Sequence, residues 1–193
     1  MSHDISVSTC SNLEINKLTI NDFNASDYFP KDYEIVKYSD LYKKNEESTA
    51  SELIGKKAPD WILENIEAQP VSLADCKSKI ILINFTGIGC GACQATIPFL
   101  KQLKESFTSE EFELIAIESW SRKVSAIRNY AKRKELNYTI LNATNEVIKQ
   151  YQTGGAAPYF FIVDQERIIR KVIRGYSKKN TDKEIINTIK ELL

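Results

Sequence analysis

The chain has 193 residues, with 26 basic and 26 acidic side chains and a formal net charge of zero; that length predicts one main domain plus a modest extra piece, and the balanced charge removes the electrostatic case for nucleic acid or an anionic membrane surface as the main partner. Hydrophobic residues at 42% and aromatics at 10% suffice for a packed core, and no run of about 18 apolar residues is present to span a bilayer. Four cysteines are too few for a disulfide scaffold, and a lone histidine, His3, argues against a zinc site or a Cys–His nucleophile pair.

The first 20 residues show no basic stretch followed by an apolar one, so no secretory signal is read in the chain as it stands. Residues 1–50 read as an N-terminal extension. Leu13, Ile15, Leu18 and Ile20 alternate loosely, and Tyr28, Phe29, Tyr33, Tyr38 and Tyr42 follow, which predicts short strands or a wrapping arm with apolar anchors. Lys43 to Ser51 is polar and reads as a linker. From Gly55 the pattern becomes regular. Lys79 to Phe85 is a short isoleucine-rich run, as expected of a strand buried on both faces. Gly87, Gly89 and Gly91 break it. From Ala92 to Phe107, Ile97, Leu100, Leu103 and Phe107 recur at helical spacing. Phe112 to Ile117 predicts a second buried strand, Val124 to Lys134 an exposed basic helix, Tyr138 to Leu141 a strand and Glu146 to Tyr151 a short helix. Tyr159 to Val163 and Ile168 to Ile173 predict two strands joined by a turn at Asp164-Gln165-Glu166. A capping box at Thr181 and Glu184 predicts the start of the last helix, with Ile185, Ile186, Ile189 and Leu192 on one face. This order implies an α/β domain over residues 51–193, a mixed sheet covered by helices on both faces.

Cys90-Gly91-Ala92-Cys93 falls where a buried strand turns into a helix. The first turn of a helix offers unpaired N–H groups and a partial positive charge, both favouring a thiolate at Cys90. The thiolate is the species that attacks a disulfide. Cys93 lies one turn further in and shares the apolar face with Ile97. Cys90 is therefore expected to be exposed and to attack, and Cys93 to be shielded and to resolve. Two intervening residues let the sulfurs bond without unwinding the helix. Five of the seven glycines cluster at 87, 89, 91 and at 154, 155. The run Gly154-Gly155-Ala156-Ala157-Pro158 precedes a strand, and its small residues would leave open backbone for a partner chain.

In this context the residues resemble the thioredoxin-like superfamily, and within it the TlpA/ResA-type thiol-disulfide oxidoreductases grouped with the redoxins and AhpC/TSA-related proteins. The resemblance covers residues 51–193. It rests on Ile54-Gly55-Lys56-Lys57-Ala58-Pro59-Asp60 before the first strand, Val71-Ser72-Leu73, Ile81-Leu82-Ile83-Asn84-Phe85 before the cysteines, Pro98 inside the helix and Pro158 before a strand. It implies a three-layer α/β/α domain and a cis peptide at Pro158 beside the disulfide. Segment 119–151 resembles the group's inserted helix and strand. The implied activity is disulfide exchange with protein substrates, a partner strand lying along Ala157 and Pro158, with a separate electron donor upstream. No cofactor or metal is implied. The implied setting is periplasmic or envelope, with the cytoplasm as the alternative and membrane association only through an anchor not in this chain. The sequence departs from the pattern at four places. Asn84 stands where thioredoxins carry a buried aspartate, Thr96 where the ResA group often carries a glutamate, Gly89 in place of a tryptophan and Ala92 in place of a proline. Both usual proton acceptors are missing. Glu118 is the candidate substitute; the plainer reading makes it a surface acid at a strand end.

Two other functions stay open. A redoxin-type peroxidase needs a threonine three residues before its reactive cysteine, where Gly87 stands with Thr86 one place too early. A binding or redox-sensing module would keep the fold without turnover. Cys76 reads as an unpaired, partly covered thiol, and Cys10 as a tail thiol or a partner for it. Arg122, Lys123, Arg128, Lys132, Arg133 and Lys134 form a basic stripe, read as a solvated helix face rather than a docking site for an acidic partner. Trp61 and Trp120 read as packing residues, with Trp120 close enough to Glu118 to border the cleft.

Overall fold

A computed structural model describes residues 49–121 and 123–193. The expectations placed on His3, Cys10, the N-terminal strands, the tyrosines up to Tyr42 and Arg122 lie outside the described residues. After a short 3-10 turn at Thr49–Leu53, the elements run β1 (Ile62–Asn65), β2 (Pro70–Ser72), β3 (Ile80–Thr86), α1 (Gly91–Glu105), β4 (Phe112–Glu118), α2 (Val124–Lys134), β5 (Thr139–Asn142), α3 (Asn145–Gln150), β6 (Tyr159–Val163), β7 (Ile169–Arg174) and α4 (Thr181–Leu192).

The strands form one seven-stranded sheet in the order β2-β1-β5-β4-β3-β6-β7. β3, β4 and β5 are parallel, and β6, β7, β1 and β2 complete it antiparallel. The apolar run of β3 is explained by its place: every residue from Ile80 to Thr86 is buried. Strand alternation sorts the core into two layers. Ile81, Ile83, Phe85, Ile115, Ile117, Tyr159 and Phe161 face α3 and the 3-10 turns through Val147, Tyr151, Ala50 and Leu53. Ile80, Leu82, Leu114, Phe160 and Ile162 face α1 and α4 through Leu100, Leu103, Ile185 and Ile189. On that same side Ala116 and Ile140 meet α2 through Ile127 and Ala131. The result is the expected three-layer α/β/α arrangement.

Two expectations change. The capping box at the last helix does not form: Asn180 is the N-cap without a side-chain bond, the Thr181 hydroxyl accepts from the Ser177 N–H at 3.0 Å, and Glu184 is drawn to Lys171 in β7 at 2.6 Å. A cross-element cation outcompetes the local cap. The basic helix is also less free than its charges suggest. The Arg128 Nε donates to the Ile66 carbonyl at 2.6 Å and the Lys134 ammonium to Gln94 Oε1 on α1 at 3.1 Å. Lys132, Arg133 and Lys134 occupy its last turn, where cations complement the helix dipole.

Candidate active site

β3 delivers the cysteine pair. Its last residue, Thr86, is followed by a tight turn in which the Cys90 N–H donates to the Gly87 carbonyl at 3.0 Å. Gly89, at φ +93°, supplies the left-handed step that this turn needs. Cys90 is the N-cap of α1, and its Sγ accepts the Cys93 N–H at 3.1 Å. A helix N-terminal amide thus points at the sulfur that would carry negative charge. Cys90 and Cys93 are joined as a disulfide with their Cα atoms 5.2 Å apart. Cys90 is 7% exposed and Cys93 1%, so both are largely covered in the bonded state and Cys93 is the deeper.

Register explains why a distant loop arrives here. β6 runs antiparallel to β3 with Tyr159 opposite Phe85, which sets the residue before Tyr159 at the end of β3 that carries the cysteines. That residue is Pro158, and the Ala157–Pro158 peptide is cis. The Ala157 carbonyl oxygen lies 3.7 Å from Cys90 Sγ.

β4 brings the third loop. Glu118 pairs in register with Thr86, and alternation puts it on the face shared with Ile80, Leu82, Leu114 and Ala116, beneath α1 and α2. It is fully buried rather than a surface acid. Its Oε1 accepts the N–H groups of Trp120 at 2.9 Å and Ser121 at 2.8 Å, and Oε2 has no hydrogen-bond partner. Burial first, and then the charge of Glu118, push the Tyr130 phenol on α2 above its ordinary pKa. Asn84, also buried, donates its amide to the carbonyls of Phe85 at 3.3 Å and Tyr159 at 3.1 Å. It ties β3 to β6 and accepts no proton. Thr96 is likewise occupied, its hydroxyl donating to the Cys93 carbonyl at 2.7 Å.

Trp120 is 48% exposed and borders the cleft, as its nearness to Glu118 suggests, instead of packing in the core. Its Nε1 donates to the Gly155 carbonyl at 2.8 Å, and its ring lies so close over Gly87 that a Cβ there would meet Trp120 Cδ2 at 2.3 Å. Gly87 is therefore the floor for an indole. Trp61 is buried, as expected. Cys76 is a free thiol, buried more fully than expected. Burial first, and then the neighbouring Glu113, push it up to about 12, so it stays protonated and inert at neutral pH.

Sequence reasoning missed the burial of Glu118 and the indole over Gly87. The first had a signal: Phe112, Leu114 and Ala116 alternate onto one face, and Glu118 continues that row. The second had none, because Gly87 and Trp120 meet only across two adjacent strands.

Residues 54–172 match the model of the AhpC/TSA family. The chain is 25% identical over 131 residues to a protein named thiol-disulfide oxidoreductase ResA from Bacillus cereus, covering 67% of this chain and 75% of the relative. It is 26% identical over 137 residues to the protein of that name from Bacillus subtilis, covering 70% and 75%. Among solved structures, a candidate protein disulfide isomerase from Bacteroides thetaiotaomicron superposes with a TM-score of 0.64 at 24% identity, covering 72% of this chain and 89% of the other.

Proposed function

The chain belongs to the AhpC/TSA family, and from that premise we propose that it is a thiol-disulfide oxidoreductase of the protein-disulfide reductase type, with Cys90 as nucleophile and Cys93 as resolving thiol. The observation that carries this reading is the placement of the Cys90–Cys93 disulfide at a helix N-terminus, beside the Ala157 carbonyl. The reaction balances on sulfur alone. The Cys90 thiolate attacks one sulfur of a partner disulfide, forming a mixed disulfide and expelling the partner's other sulfur as a thiolate, which takes up a proton. Cys93 then loses its proton and attacks Cys90 Sγ. The Cys90–Cys93 bond forms, the mixed disulfide breaks, and the partner leaves as a dithiol, reduced by two electrons. A dithiol donor reverses the same steps to reduce the pair again.

The Cys93 proton needs an acceptor. Asn84 and Thr96 are both committed to carbonyls. Glu118 is the buried carboxylate at this end of the sheet with an oxygen to spare, and we assign it that role. Ala157 would hold the partner as an extended segment across Cys90 through its backbone groups, with the cis Pro158 setting their direction, since the Pro158 carbonyl already accepts the Gly175 N–H at 2.8 Å. The TlpA/ResA resemblance supports a periplasmic or envelope setting. None of the described helices is long and apolar enough to cross a membrane.

Insulin reduction by dithiothreitol is the test. The wild-type chain should accelerate it, and Cys90→Ser should fall to the rate of dithiothreitol alone. A Cys90→Ser variant as fast as wild type would refute the assignment, and thiol-dependent peroxide consumption in its place would favour the peroxidase reading.

A further inference from the structure

Four large apolar side chains are exposed among the described residues: Ile54, Ile62, Trp120 and Leu193. Of these, Trp120 stands between the loop that leads into Cys90 and the loop that leads into Pro158. Its orientation is fixed from several sides. The Glu118 carboxylate holds the Trp120 and Ser121 N–H groups. The Ser119 N–H and hydroxyl both donate to the Thr86 carbonyl at 2.9 Å, strapping the turn to the end of β3. Gly87 lies under the ring and the Gly155 carbonyl takes its N–H. One face of the indole and its polar edge are thus used up inside the protein. About half of the side chain is left to solvent.

A half-exposed aromatic is ordinarily turned inward by the hydrophobic effect. Here the fold spends a glycine, two backbone donors and a carboxylate to hold it outward, at the site where a partner's cysteine must approach. We propose that Trp120 is a substrate-binding residue, whose open face receives an apolar or aromatic side chain adjoining the partner's reactive cysteine. The occupant is the cysteine segment of a disulfide-bonded protein, flanked by an apolar or aromatic residue. Aromatic pairs carry a preference beyond simple area burial, enough for a several-fold to about tenfold effect on kcat/KM.

This inference rests on the disulfide-exchange reading, so the experiment separates the two. Two disulfide-linked peptides are compared, identical except that the residue beside the reactive cysteine is tryptophan in one and glycine in the other. The wild-type chain, kept reduced by dithiothreitol whose direct rate is subtracted, should prefer the tryptophan peptide about tenfold in kcat/KM, through KM. Trp120→Ala should lose that preference, the tryptophan peptide slowing far more than the glycine peptide. Trp120→Phe keeps a ring over Gly87 and should retain it within about threefold. A wild-type chain that turns over both peptides equally would overturn the proposal, as would a Trp120→Ala variant that slows both by the same factor, which marks a purely structural role. A wild-type chain that reduces neither peptide refutes the disulfide-exchange reading itself.

Discussion

At the scale of single residues, the proposed mechanism poses a proton problem, to which Glu118 is the proposed answer. A resolving thiol buried to 1% exposure must become a thiolate in an apolar setting, where burial disfavours the charged form. A nearby base that takes the proton as the sulfur attacks removes that cost. Glu118 is buried with Oε1 saturated by two N–H donors and Oε2 unpartnered, which leaves one oxygen able to receive it. Glu118→Gln is the informative change, because the amide oxygen still accepts the Trp120 and Ser121 N–H groups and the turn keeps its shape. Closure of the mixed disulfide, followed by stopped flow, should slow about 100-fold at pH 7, the lower end of what a positioned base supplies. It should then recover about tenfold per pH unit as Cys93 ionises unaided. A variant whose pH profile overlays the wild type would remove Glu118 from the proton path.

At the scale of elements, the β6–β7 hairpin shows how one carboxylate fixes a turn. Asp164 is buried at the end of β6 and accepts the N–H groups of Glu166 and Ile168 at 2.9 Å each, together with the Arg170 guanidinium. Burial pushes its carboxyl up, but the Ile168 N–H and Arg170 outweigh that and hold it below the ordinary value. A depressed carboxylate contributes stability that is complete above the unfolded-state pKa, about 3.9. That stability is lost as pH falls through the lower, folded value. Asp164→Asn keeps the turn acceptor without its charge. It should cost about 1–2 kcal/mol in urea unfolding at pH 7, and the stability gap should narrow as pH falls through the depressed folded-state value. A gap that persists unchanged at low pH would show that the charge is not what holds the hairpin. The failed capping box at α4 is the counterexample in the same region: Glu184 forgoes the local N–H for Lys171 on β7. Local chemistry decided the hairpin, and tertiary competition decided the helix start.

At the scale of the whole molecule, what the sequence revealed and what it hid divide along that same line. The strands β3, β4 and β6 and the helix α1 were legible, because continuous apolar runs and a helical stripe report burial directly. The cysteine pair was legible because its spacing and its place after a buried strand are both local. Glu118 and Trp120 were misjudged because their roles depend on strand pairing, which sets the end of β4 beside the end of β3 and carries a ring over Gly87. The extent of the folding unit follows from the same packing. Among the described residues the three apolar clusters span residues 50–192, and Ala50 and Leu53 of the first 3-10 turn are buried in one of them. A chain that begins at Glu47 keeps every described strand of the sheet, the described helices on both its faces and all three loops of the cysteine site. About 150 residues suffice to bury a self-sustaining core. Residues 47–193 produced alone should therefore unfold in one cooperative step, with circular dichroism and tryptophan fluorescence reporting the same midpoint. They should also reduce insulin within about twofold of the full chain's rate, since no catalytic part in the proposed mechanism lies before residue 50. An insoluble product, or a folded one without activity, would show that the preceding residues complete the core or the site.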